Sequence, residues 1–165
     1  MRKTSNLGVE TFRSPELGPI GLVAGLEPRI LRRPTHRAGP TSAFAGRIAA
    51  APAARVDILY CHAGGDAVAV EAFLAAGARA IVVAGFPPGY ATSAQAAALS
   101  AWARLGGIVV QASRADGPTV ATRRNAEAGF MPSRGLSPVK ARLLLAVALA
   151  CGIGRDGLDD FFRSH

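Results

Sequence analysis

Two spacings of apolar residues divide this chain. From Val56 onward, short solid apolar runs alternate with stretches whose apolar residues recur every three or four positions; before Val56 neither spacing is sustained. Val56–Cys61, Ala80–Ala84 and Gly107–Gln111 have strand length and no polar alternation, which suits strands of a parallel sheet covered on both faces. Between the first two runs, Asp66 stands as a helix cap, Val70, Phe73 and Leu74 fall at i, i+3 and i+4, and Gly77 closes the helix. Between the second and third, Thr92 or Ser93 caps a helix with Ala98, Trp102 and Leu105 on one face, stopped by Gly106 and Gly107. The order predicts βαβαβ with right-handed crossovers, and a short fourth strand through Phe130 and Met131. Ser137 as cap and Pro138 in the first turn open an apolar helix to Ala150. Lacking a wide polar face after Arg142, that helix is expected to lie against the sheet. Leu158, Phe161 and Phe162 add a last amphipathic turn. The predicted fold class is α/β: a Rossmann-like parallel sheet of about four strands flanked by helices.

The first third is irregular. Gly18–Val23 and Arg29–Leu31 read as a short β-hairpin turning at Ala24-Gly25, and Pro34–Pro40 as an extended linker rich in Pro, Thr and Arg. The expected organisation is 1–33 as the tail of a larger domain, 34–54 as linker and 55–165 as the α/β domain.

Composition narrows the function classes. A chain of 165 residues buries about 70% of its unfolded surface, enough for one core. The net charge of +8 invites nucleic acid, but the basic residues are scattered apart from Arg29, Arg32, Arg33 and Arg37. Aromatics make up 6% of the chain, too few for a base-stacking platform, so nucleic acid is not the expected partner. The longest apolar run, Leu143–Ile153, is too short to cross a bilayer, and Met1-Arg2-Lys3 leads into Thr4-Ser5-Asn6 rather than an apolar signal core. Cys61 and Cys151 share no metal-ligand spacing and read as small packed hydrophobes. A cytoplasmic protein with no metal and no cofactor is the expectation.

In a parallel sheet, ligands gather where the strands end. Here those ends are Cys61–Asp66, Gly85–Tyr90 and Ala112–Arg114. Gly64 and Gly65 precede a helix start, yet Asp66 repels a phosphate and the GxGxxG spacing is absent, so a tight turn is the simpler reading. Cys61 and His62 are neighbours, but adjacent strand residues point to opposite faces. Ser113 and Arg114 either hold a carboxylate or tie down the following loop. Glu127 lies close to Arg123 and Arg124 and reads as a solvated ion pair. No nucleophile–base pair emerges, so no catalytic residue is assigned.

A resemblance runs across these pieces. Lys3-Thr4, Phe12–Pro15 and Gly18–Gly21 resemble the end of the N-terminal domain of the bacterial L-asparaginase (asparaginase/glutaminase) family. Val56–Tyr60 with Ala63-Gly64 resembles the first strand and turn of its C-terminal domain, Ala75–Gly85 the next crossover, Ser113-Arg114 a motif after the third strand, and Gly135–Leu145 the closing helix.

The resemblance implies hydrolysis of the side-chain amide of asparagine, sometimes glutamine, by an attacking threonine through an acyl-enzyme. It also implies a homo-oligomer in which one subunit's C-terminal domain helps hold the partner's substrate. The family's threonine motifs and activating lysine belong to the N-terminal domain and have no counterpart here, so the chain is expected to be inactive without a segment or chain supplying that half. A family asparagine falls at Gly64, and a substrate-contacting acid falls near Thr122, with Glu127 the nearest acid. The family's loop rich in glycine and asparagine is replaced by Phe86-Pro87-Pro88-Gly89-Tyr90. Gly64, Asp66, Ser113 and Glu127 are the expected substrate-binding positions. The alternative is a non-catalytic Rossmann-like binding or oligomerisation module.

Overall fold

A computed structural model of the chain describes all residues except 1, 16, 17, 34–38, 43, 48–51, 116–120 and 165. The chain divides into two compact units, Met1–Ala38 and Gly39–His165. In the first, β1 (Arg2–Lys3) pairs antiparallel with β2 (Phe12–Arg13), and β3 (Gly21–Ala24) with β4 (Glu27–Ile30). The β3–β4 hairpin was expected, but Ala24 pairs with Glu27, so its turn is Gly25-Leu26 rather than Ala24-Gly25. Gly25 supplies a φ of +66, open to glycine without strain. β3 and β4 are largely exposed.

The second unit carries the parallel sheet. Its strands are β5 (Val56–Tyr60), β6 (Ala80–Gly85), β7 (Ile108–Ser113) and the short β8 (Met131–Pro132), in the order β5-β6-β7-β8, each pairing parallel with the next. β6 and β7 are buried at every position. The pleat sorts their side chains between two layers. Val56, Ala80, Val82, Ile108, Val110 and Ala112 meet α4 (Pro138–Ala150) and α5 (Arg155–Ser164). Leu59, Cys61, Ile81, Val83 and Val109 meet α1 (Val68–Ala75) and α2 (Ser93–Arg104). Each fully buried Val, Leu or Ile contributes about 1.5–3 kcal/mol of transfer free energy, so covering both faces is what makes solid apolar runs stable as strands. Within the stretch read as a linker over 34–54, Phe44 and Ala54 pack against the α4–α5 layer, and the Phe44 ring meets Phe161 edge-on at 4.9 Å.

Three sequence expectations need correction. Leu105 is 87% exposed: it is the C-cap of α2, past the last helical turn, whereas Ala98 and Trp102 pack against the core beside the buried Gln95, Leu99 and Ala103. Asp66 sits one residue outside the cap position, since α1 starts at Val68 with Ala67 as N-cap, although its carboxylate does accept the Val68 N–H at 3.1 Å. Ser137 occupies the N-cap of α4 with extended backbone, but its hydroxyl makes no capping bond and Pro138 removes one of the donors there. A short helix, α3 (Arg123–Glu127), was not expected; Thr122 caps it by accepting the Asn125 N–H. α1, α2, α3 and α4 each end on a glycine of positive φ, with paired backbone bonds closing the last turn.

Ser133, at the end of β8, is fully buried, and its hydroxyl has no partner among the described residues. A buried donor left unmade costs free energy. Ser133→Ala is therefore expected to raise stability by about 1 kcal/mol, read as a higher urea midpoint at unchanged slope.

Candidate functional site at the strand ends

Three turns meet at the carboxyl edge of the sheet. The turn after β5 closes with Gly65 N–H donating to the His62 carbonyl at 3.1 Å, and Gly64 takes a φ of +76. It is held from behind by α2. Thr92 donates its hydroxyl to the Gly65 carbonyl at 2.7 Å, and Thr92 and Gln95 form a reciprocal capping box. A Cβ at position 65 would meet Gln95 Nε2 at 2.7 Å, so that turn admits only glycine without rearrangement.

The turn after β6, Phe86–Tyr90, is saturated. Phe86 and Tyr90 exchange backbone bonds, and the Gly89 N–H donates back to Phe86. From below, Gln111 Nε2 donates to the Pro88 carbonyl at 2.8 Å and Asn125 Nδ2 to the Gly89 carbonyl at 3.1 Å. Both amides are buried, at 1% and 5% exposure, so these bonds form away from competing water. Sequence reasoning missed both. A glutamine closing the Ile-Val-Val run of β7 is the signal for the first; Asn125 lay in a stretch without apolar periodicity.

The turn after β7 starts at Ser113, which is buried and accepts the Ala115 N–H at 3.1 Å. Arg114 laces the edge together. Its backbone N–H donates to Gly85, its Nη1 donates to the Cys61 carbonyl at 2.8 Å, and its guanidinium stacks over Phe86 with its carbon 4.2 Å from the ring centroid.

The expected positions divide accordingly. Gly64, Asp66 and Ser113 all lie at this edge. Gly64 is exposed, with open space where a Cβ would stand, while Asp66 and Ser113 are each engaged in a local turn bond. Glu127 lies on α3, exposed, bonded to Arg123 Nε at 2.7 Å. The Cys61–His62 pair does not form. Cys61 is fully buried, and His62 is exposed with Nδ1 3.0 Å from the Ala63 carbonyl. Burial pushes the Cys61 thiol up from 9.0 to about 11, partly opposed by the charge of Arg114. The proton stays on the folded thiol where the unfolded chain loses it, so this group's contribution to stability falls as pH rises from 9.0 toward 11. Iodoacetamide at pH 8 is expected to label the half-buried Cys151 and spare Cys61, which peptide mass mapping checks. Among the described residues, no three His, Cys, Asp or Glu side chains are placed to share a metal ion.

Residues 55–162 match the family model described as the glutaminase/asparaginase C-terminal domain. The chain belongs to that family. The asparaginase likeness extends beyond the matched residues. Over 153 residues the chain is 33% identical to a protein named probable L-asparaginase periplasmic from Haemophilus influenzae and 33% identical to L-asparaginase 2 of Escherichia coli K12, in each case covering 89% of this chain and 43% of the relative. The crystal structure of a probable cytoplasmic L-asparaginase from Campylobacter jejuni superimposes with a TM-score of 0.87 at 26% identity, over 99% of this chain and 54% of that one. The chain thus spans about two fifths of the length of the curated asparaginases it matches. Among the described residues, no helix is long and apolar enough to cross a membrane.

Proposed function

We propose that this chain is the completing part of an asparaginase-like amidohydrolase: it lends the strand-end edge of its α/β domain to a substrate pocket whose nucleophile comes from elsewhere. The family match over 55–162 carries this reading. The chemistry supports it, because amide cleavage needs a hydroxyl or thiol beside a base, and the groups at this edge are otherwise engaged. Ser113 accepts a backbone bond, Thr92 is tied into its capping box, and the Cys61 thiol stays protonated. In this reading residues 1–33 belong with the nucleophile domain, 34–54 connect and 55–165 form the completing domain. Gly64 is the strongest of the four expected substrate positions, being exposed and unencumbered; Asp66 and Ser113 shape the turns, and Glu127 faces solvent with Arg123. The working form is a homo-oligomer, or a complex with a chain supplying the other half. We place it in the cytoplasm, although the names of its relatives include both cytoplasmic and periplasmic asparaginases.

The test is ammonia release from L-asparagine. The 165 residues alone are expected to give background, and co-expression with an asparaginase N-terminal domain to give turnover. Turnover by the chain alone would refute the missing nucleophile; none in the mixture would refute the completing role.

A second reading, a non-catalytic oligomerisation module, is favoured by Val139 and Leu143. They stand 69% and 61% exposed one turn apart on α4. A clean monomer in light scattering removes it.

A further inference from the structure

We propose that Arg114 holds a small carboxylate ligand at the strand-end edge through the Nε and Nη2 edge of its guanidinium. The guanidinium is immobilised on its other side. Nη1 donates to the Cys61 carbonyl at 2.8 Å, the plane lies over Phe86 at 4.2 Å, and the Tyr60 ring stands 6.0 Å away. The backbone N–H of the same residue is fixed on Gly85 at 3.0 Å. That geometry leaves Nε and Nη2, whose two N–H groups run parallel and match the two oxygens of a carboxylate. The chain shows what this edge does when a carboxylate is present. Arg55 grips Asp57 with Nε on one oxygen at 2.7 Å and Nη2 on the other at 3.3 Å, and Arg134 grips Asp159 with Nε on one oxygen at 3.2 Å and Nη2 on the other at 2.9 Å.

Arg114 has the same edge, and among the described residues no carboxylate meets it. The ion pairs among the described residues are Glu10–Arg13, Arg55–Asp57, Arg123–Glu127, Arg134–Asp159 and Asp159–Arg163, and Arg114 is in none of them. A guanidinium fixed in advance loses little further freedom on binding, which is where preorganisation raises affinity. Its surroundings disfavour other ligands. The three backbone N–H groups of the Phe86–Tyr90 turn are all engaged within the fold, so its backbone offers no free donor. The ligand meets one bidentate cation stacked on Phe86, and a planar fork of two N–H donors matches a planar carboxylate. This assignment concerns binding alone and does not depend on amide cleavage.

The full chain, with ¹⁵N-labelled arginine, is titrated with succinate, L-aspartate and inorganic phosphate while the arginine Nε–H signals are followed. We expect saturable movement of the Arg114 signal with both carboxylates, and weaker binding of phosphate. Because Arg114→Gln can loosen the edge by releasing Cys61, Arg114→Lys is the deciding variant, since it keeps the charge and loses the fork. Its carboxylate affinity, followed by calorimetry, should fall at least about tenfold. Equal carboxylate affinity in Arg114→Lys, an unmoved Arg114 signal, or tighter phosphate than succinate would each overturn the assignment.

Discussion

Gly89→Ala is expected to destabilise the Gly39–His165 unit by about 3–5 kcal/mol and to release the Phe86–Tyr90 turn from the sheet edge. Gly89 has a φ of +127, where a side chain is strained whatever room it has. There is no room either. A Cβ would stand 2.5 Å from Gln111 Cγ, 2.8 Å from Gln111 Nε2 and 3.0 Å from the Ala112 carbonyl. Backbone strain of this kind costs about 1–3 kcal/mol and overpacking a similar amount. If Gln111 turns away to relieve the clash, it abandons its buried bond to the Pro88 carbonyl. Urea unfolding followed by circular dichroism measures the loss, and amide exchange at Gly89 and Tyr90 reports whether the turn opens. A change below about 1 kcal/mol would mean that the turn is not anchored through Gln111.

That anchoring marks where the sequence was legible and where it was not. The apolar runs gave β5, β6 and β7 because strands packed on both faces are built mostly from apolar residues, with Asp57 in β5 and Gln111 and Ser113 in β7 as the polar exceptions. The ends of α1 and α2 were legible because a glycine follows the last turn of each, at Gly77 and Gly106. On α2, Ala98 and Trp102 pack inward as expected, and Leu105 was misplaced because apolar residues were counted inward by type. Gln95, buried at 2% exposure, serves the capping box, while Leu105 lies past the end of the helix. α3 stayed hidden because Arg-Arg-Asn-Ala-Glu carries no apolar stripe; it is fixed by the Thr122 cap and the Asn125 bond to Gly89. The location of the candidate site followed from topology, since strand ends of a parallel sheet converge. Its internal wiring did not. Whether Arg114 would reach Cys61, 53 residues away, is set by the distance across two strands, which local sequence does not encode.

α4 poses the sharpest version of this problem, because Leu143, Leu144 and Leu145 are consecutive in an apolar helix and composition cannot rank them. Leu145 is fully buried in the layer formed with β5, β6 and β7, while Leu143 is 61% exposed. Leu145→Ala is expected to cost about 2–5 kcal/mol, since the surrounding strands are rigid and a cavity would remain. Leu143→Ala in the monomer should stay within about 0.5 kcal/mol. Thermal unfolding of the two variants at low protein concentration tests the contrast. The exposed residue has a second use. If Leu143 lies in a contact between copies, its variant loses stability as protein concentration rises, relative to the parent chain, whereas the Leu145 deficit does not depend on concentration. Equal losses for both variants at high dilution would show that α4 is seated on the sheet by a different face from Ala141, Leu145 and Ala148, and the pleat assignment of β5 to β7 would have to change with it.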